Sequence, residues 1–354
     1  MGKTAGEDME AAMGRIQRHN ILVIGGLCAL ALVANPRTAS ADAGGASFWL
    51  PGIFGSLAAL PGVPGWAYST IYVHESESAG ASQNFVLGGR AVGSVVAGLD
   101  AHADVVAQGF TYVSPMSVLG GQAAFSVIGA GGNVGVGIDA TLTGPRGNSI
   151  SGSATDNRNT FTDVFYQGSL KWNQGVNNEM VYITGNIPSG TYDQTRLANL
   201  SSGYVAVDGG VGYTYFDPKT GHEFSVVAGA TYSGINPDLQ YQNGIDLHLD
   251  AGASQFVSKN VQIGLVGYFF QQLTPDSGPG AKLGAFEGRT VGIGPQIGFI
   301  FPVSDSYQGY LNLKAYKDLA VENRPDGWTG WVTFAISPKA PEPPPSATPL
   351  TRKY

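Results

Sequence analysis

Asp246, His248 and Asp250 stand at every second position, and the residues flanking and separating them, Ile245, Leu247, Leu249, Ala251 and Ala253, are apolar. Alternation with period two makes this stretch a strand with one wet face and one greasy face. Two carboxylates and an imidazole on one face can form a hydrated polar lane, to which Asp208, Lys314 and Asp318 could contribute from other strands. The plainer reading of the same residues is that they satisfy one another and set the shape of an interior. A second pair, His74 and Ser76, shares a strand face at i and i+2, the relation in which an imidazole can activate a hydroxyl for hydrolysis. The competing reading is an ordinary histidine at a loop rim. His102 and His222 complete no HxxxH or HExxH spacing with the others, so neither a metal site nor a cofactor is expected, and the chain does not read as an enzyme.

These side chains need strands to hold them. The hairpin from Asn243 to Leu273 alternates through its first arm, turns at Ser258-Lys259-Asn260 and continues in a second run, Val261–Leu273, long enough with its partner to cross a membrane. Further candidates extend the pattern over residues 66–337: strands at 66–75, 102–113, 121–142, 160–172, 179–187, 203–216, 223–235, 287–301, 307–321 and 328–337 join the arms 243–257 and 261–273, twelve in all. The connections alternate between short ones (114–120, 173–178, 217–222, 258–260, 302–306) and mostly longer polar ones (76–101, 143–159, 188–202, 236–242, 274–286, 322–327). Short turns on one rim and long loops on the other predict an all-β, transmembrane, antiparallel up-and-down β-barrel. Fourteen strands is the alternative if 121–142 is two strands and 85–98 hides another. Aromatic residues near strand ends, Trp66, Trp172, Tyr213, Tyr215, Phe299, Phe301, Trp328 and Trp331, suit interfacial girdles.

Composition agrees with a membrane environment. Charged residues make up 13% of the chain, about half the usual soluble share of roughly 25%. The longest apolar run, Ile21–Val33, has 13 residues, too few for the ~20 that a spanning helix needs. Basic Arg15 and Arg18 before it and small residues 38–43 after it make a secretory signal, assigned to residues 1–41. Without that segment 15 basic residues face 23 acidic ones, a net charge of −8. With no basic patch, nucleic acid is not an expected partner. The only cysteine, Cys28, lies in the signal. Prolines at 51, 61 and 64 interrupt the apolar stretch 42–65 and exclude a long helix. We read it as a plug or periplasmic lid, with Trp49, Pro51, Phe54, Leu57 and Leu60 as its apolar contacts. Residues 338–354, with six prolines, read as a disordered extension.

The stretch Ser47–His74, with Trp49-Leu50-Pro51-Gly52, the Pro61-Gly62 step and Tyr72 in the first strand, resembles the MetA-pathway of phenol degradation family. The resemblance implies an outer-membrane channel for passive uptake of small hydrophobic or aromatic compounds, phenol-type substrates included. Its partners would be that solute and outer-membrane lipid. The alternatives are a hydrolase using His74 and Ser76, and a structural barrel with a sealed lumen. The oligomeric state is open.

Overall fold

The computed structural model describes residues 48–87, 90–143, 148–281 and 287–340, and of residues 81–96 it describes the backbone only. The signal segment and most of the proline-rich extension lie outside the described residues. Thirteen strands are present among them: β1 (Gly65–Leu87), β2 (Arg90–Val118), β3 (Gly121–Thr143), β4 (Ser149–Phe161), β5 (Val164–Gln174), β6 (Asn177–Ile187), β7 (Ala206–Asp217), β8 (His222–Ser233), β9 (Asp246–Ser258), β10 (Val261–Gln272), β11 (Arg289–Pro302), β12 (Tyr307–Glu322) and β13 (Asp326–Pro338). All pair antiparallel. β1 pairs with both β13 and β2, β2 with β3, and β3 with β5, so twelve strands close a cylinder and β4 is an extra strand on β3. Closure gives every spanning backbone group a strand partner, which a lipid environment demands.

The expected count of twelve barrel strands therefore stands, and the fourteen-strand alternative does not: residues 121–143 form one strand. Two long connections and one strand differ from expectation. Residues 76–101, read as a loop, are strand over most of their length, because β1 and β2 continue as a paired hairpin up to Leu87 and Arg90. Residues 143–159, also read as a loop, contain most of β4. The single strand expected at 160–172 is broken at Thr162-Asp163, with β4 pairing on Gly131–Thr143 and β5 on Gln122–Ile128. Ser, Gly, Asn and Thr dominate β4, so its composition resembles loop; only a long partner strand makes it extended.

Outward side chains on the barrel proper are apolar and exposed, among them Phe110, Phe125, Val211, Phe224, Leu265 and Val332. On β1 and β2 the outward face changes character along the strand. Trp66, Tyr68, Phe110 and Val106 lie toward the turn rim, whereas His74, Ser76, Ser78, Asp104, His102 and Asp100 lie beyond them. That switch from apolar to polar marks where lipid gives way to water on the loop side. The two strands, 23 and 29 residues long, far exceed the roughly 9–11 that a span needs. Trp66 and Trp328 project outward near the two rims, as a girdle requires. Trp331 does not: it is buried inside with Tyr316 and Val266, because its strand parity is opposite to that of Trp328.

The break between β4 and β5 is held from inside the protein. Asp163 is buried and accepts hydrogen bonds from Ser201 Oγ at 2.5 Å, Ser202 Oγ at 2.8 Å, Asn186 Nδ2 at 3.0 Å and the Gly190 and Ser202 amides at 3.2 Å each. It thereby ties the β6–β7 loop to the barrel wall. A second tie joins Arg196 in that loop to Asp156 on β4, through Nε at 3.0 Å, and the Arg196 guanidinium holds the Asp156 carboxyl below its usual range. Asp163→Ala is expected to cost about 2–3 kcal/mol, since it strands several buried donors at once. Urea unfolding in detergent micelles followed by tryptophan fluorescence measures this, and an unchanged midpoint would rule the anchor out.

Candidate functional site

The barrel's inner face is polar and aromatic, and the described part of the N-terminal segment, from Phe48, runs against it. Phe48 packs on Phe165 and belongs to a cluster with Tyr204 and Ala206 near the loop side of the barrel. From there the chain descends past β9, β10 and β12 to Val113 and Pro338, and enters β1 at Gly65 on the turn side.

Trp49 occupies the centre of this path. Its indole lies nearly parallel to His248, with ring centroids 4.7 Å apart, and to Phe270 at 6.0 Å, and meets Tyr268 edge-on at 5.9 Å. Indole Nε1 donates to Asp250 Oδ2 at 3.1 Å, and the Gly52 amide donates to Oδ1 of the same carboxylate at 3.3 Å. Lys314 donates to the Gly52 carbonyl and lies 5.1 Å from the Trp331 ring centroid. Gly52 has φ +92°, and a Cβ there would fall 2.7 Å from the Tyr316 ring. Only glycine fits that position without displacing the aromatic wall.

Further along, the segment borrows acceptors and donors from the wall. The Leu57 amide donates to Glu223 Oε1 at 2.9 Å and Ser225 Oγ at 3.0 Å, and the Ala59 amide to Thr214 Oγ1 at 3.0 Å. Lys171 donates to the carbonyls of Ala58 at 2.7 Å and Leu60 at 3.2 Å, while Gln296 donates to Ser56 Oγ at 2.5 Å. Phe54 rests on Tyr182 at 4.7 Å, and with Ala58 packs against Met180 and Val227. Gly252 lets the chain come close: a Cβ there would be 2.8 Å from the Ser56 nitrogen. The Leu60 amide bonds to the Leu57 carbonyl, so 57–60 is one tight turn, consistent with the interruption of the segment by its prolines.

The structure brings part of the sequence-selected set together. Asp208 Oδ2 accepts from His248 Nε2 at 2.8 Å and from Thr231 at 2.7 Å, and His248 Nδ1 lies 3.9 Å from Asp250. Asp208, His248, Asp250 and, through Gly52, Lys314 thus share one neighbourhood around Trp49. Asp246 is buried on the same face two residues from His248. Asp318 is separate, bonded to the Tyr268 hydroxyl and the Gly327 amide. Among the N-terminal residues, Trp49 and Phe54 contact the wall through their side chains, Leu57 and Leu60 through backbone hydrogen bonds, and Pro51 is half-buried beside Gly52. Glu223, Ser225, Thr214, Lys171 and Gln296 were not singled out from sequence. Alternation in His222–Ser233 places Glu223 and Ser225 inward, but what they bind is 166 residues or more distant in sequence.

His74 and Ser76 lie on the outward face near the lipid boundary. His74 Nδ1 bonds Asp104 Oδ1 at 2.8 Å and its ring packs on Trp328, and no hydrogen bond joins it to Ser76 among the described residues. Among those residues no group of three or more His, Cys, Asp or Glu could hold a metal ion.

The family model described as "Putative MetA-pathway of phenol degradation" matches residues 86–334, about 70% of the chain. The chain belongs to this family. The match covers strands β2 to β13, so the stretch Ser47–His74 lies outside it. Among solved structures, the COG4313 outer membrane channel from Pseudomonas putida F1 is similar at 14% identity and TM-score 0.60, covering 82% of this chain and all of that one. A Pseudomonas aeruginosa FadL homologue, at 8% identity and TM-score 0.34, covers 77% of this chain and 90% of its own. No curated protein matches the chain. The fold is that of a bacterial outer-membrane barrel.

Glu223→Ala is expected to accelerate hydrogen exchange at the Leu57 amide roughly 10-fold or more, following loss of a charge-assisted bond. The Gly52 amide, held by Asp250, should keep its rate. Mass spectrometry of the exchanged segment separates the two, and equal acceleration at both sites would contradict independent anchoring.

Proposed function

We propose that this protein is a passive outer-membrane channel for small hydrophobic compounds, aromatic ones of the phenol type in particular, and that residues Phe48–Leu60 plug it. The observation that carries this reading is the lining itself. Among the buried polar side chains of the lumen the wall carries two apolar clusters, Val266, Tyr268, Phe270, Tyr316 and Trp331 in one and Met180, Tyr182 and Val227 in the other, a flat aromatic surface that the hydrated polar lining of a wide aqueous pore lacks. Twelve strands leave a narrower interior than the 16 to 18 of water-filled porins. A narrow interior of this kind suits a flat apolar solute better than a hydrated sugar. Passage is passive, and no enzymatic step is involved.

The polar residues have two parts in this scheme. Glu223, Ser225, Thr214 and Lys171 hold the lower segment through its backbone. Asp208, His248, Asp250 and Lys314 line the passage where Trp49 sits, and Asp246 and Asp318 line it nearer the loops. The phenol-degradation family and the Pseudomonas putida relative, itself an outer membrane channel, support the same reading.

Deleting Phe48–Leu60 is expected to raise single-channel conductance in planar bilayers several-fold. In liposomes the intact protein should admit phenol-type probes ahead of sugars of similar mass. Permeability equal to that of empty liposomes for every probe would favour a sealed structural barrel instead.

A further inference from the structure

We infer that the position of the Trp49 indole is a binding site for planar aromatic molecules carrying a hydrogen-bond donor on the ring edge, and that Trp49 is the chain's own occupant of it. The proposal rests on the passage reading above and names the chemistry that the passage selects.

Trp49 is held as a ligand is held. It is 3% exposed, yet no strand or helix contains it, and its ring and side-chain hydrogen-bond partners come from the barrel wall. The plane of the indole is matched by His248 and Phe270, cross-strand partners on β9 and β10, both within 17° of it. Tyr268 closes one edge at 63°, with its own hydroxyl committed to Asp318. The single polar atom of the indole donates to Asp250 Oδ2. The site is therefore described by two features of its occupant: a flat π surface and one N–H or O–H at the rim. Phenols, anilines and indoles have both. Their O–H or N–H would donate to Asp250 Oδ2 in place of the indole N–H, and the ring would take the place of the indole against His248 and Phe270.

The two rings that stack on the indole are set independently of Trp49. Asp208 fixes His248 through Nε2, and Phe270 is held in the β10 ladder with the Arg324 guanidinium carbon 4.4 Å from its ring centroid. By contrast, Trp49 is attached to the wall through Asp250, ring contacts and the neighbouring Gly52 bonds. A ligand entering the site would displace the indole and remove one of the two bonds that this part of the segment makes to Asp250. Arrival of the right solute would in this way loosen the segment that blocks its path.

The test is binding of small molecules to the full-length barrel in detergent. Trp49→Ala, checked for the heat-modifiable mobility of a folded barrel, should bind phenol and indole at least tenfold more tightly than cyclohexanol, which lacks the flat face, and than anisole, which lacks the donor. Asp250→Ala in the same background should erase the preference for phenol over anisole. Equal affinities within twofold for phenol, anisole and cyclohexanol, or no binding of phenol at millimolar concentration, would overturn the proposal. Should Trp49→Ala not fold, the wild-type protein labelled with 5-fluorotryptophan decides: millimolar phenol should shift the Trp49 fluorine resonance, assigned with Trp49→Phe, and cyclohexanol should not. A resonance unmoved by phenol would overturn it. These readouts are independent of flux, so a barrel that binds phenol in the site but passes none refutes the transport reading alone. Passage of phenol without binding refutes this one.

Discussion

A closed antiparallel cylinder leaves no strand edge for a guest chain to pair with in the membrane, so any segment inside it must find hydrogen-bond partners among side chains. That constraint organises the lumen. Backbone groups of Gly52, Leu57, Ala58, Ala59 and Leu60 are met by Asp250, Lys314, Glu223, Ser225, Thr214 and Lys171, drawn from five different strands of the wall. Buried polar groups without partners cost several kcal/mol in such surroundings. The inward polar residues and the irregular segment are therefore mutually necessary: either alone would be a set of unsatisfied groups.

The same logic explains why charge is concentrated inside an otherwise charge-poor chain. His248 is fully buried between carboxylates, an arrangement tolerable only because each member meets a partner of opposite or donor character. Outside, the wall is apolar where it meets lipid and turns polar from His74 onward on β1 and opposite it on β2. The inversion shows that one strand can serve two solvents in succession, with the side-chain period unchanged and only the identities altered. Asp163 adds a further device, a buried acceptor that lets one long strand pair be interrupted and a loop be fastened at the interruption.

Much of the fold is legible in residue order because a barrel strand writes its two environments directly into a period of two. Asp246-x-His248-x-Asp250 points inward for this reason, and most of the barrel strands lie close to their expected positions. The departures are where alternation carries no contrast. The upper parts of β1 and β2, between Ser76 and Ala101, are rich in Gly, Ser and Ala, and β4 is polar on both faces, so nothing local separates them from loop. Trp331 illustrates a different limit: an aromatic residue near a strand end is compatible with either face, and parity alone assigns it inward.

Sequence by itself determined that this chain crosses a membrane with strands and which residues of most of them can face inward, because those properties follow from local alternation and turn spacing, whereas the choice between twelve and fourteen strands waited on the pairing of β3 as one strand with β5. Tertiary structure decided what the inward residues do. The contacts of Trp49 with Asp250 and of Leu57 with Glu223 join positions 201 and 166 residues apart, and they exist because closing the cylinder brings distant strands to face a common axis. No local pattern records which of those strands a guest segment will touch.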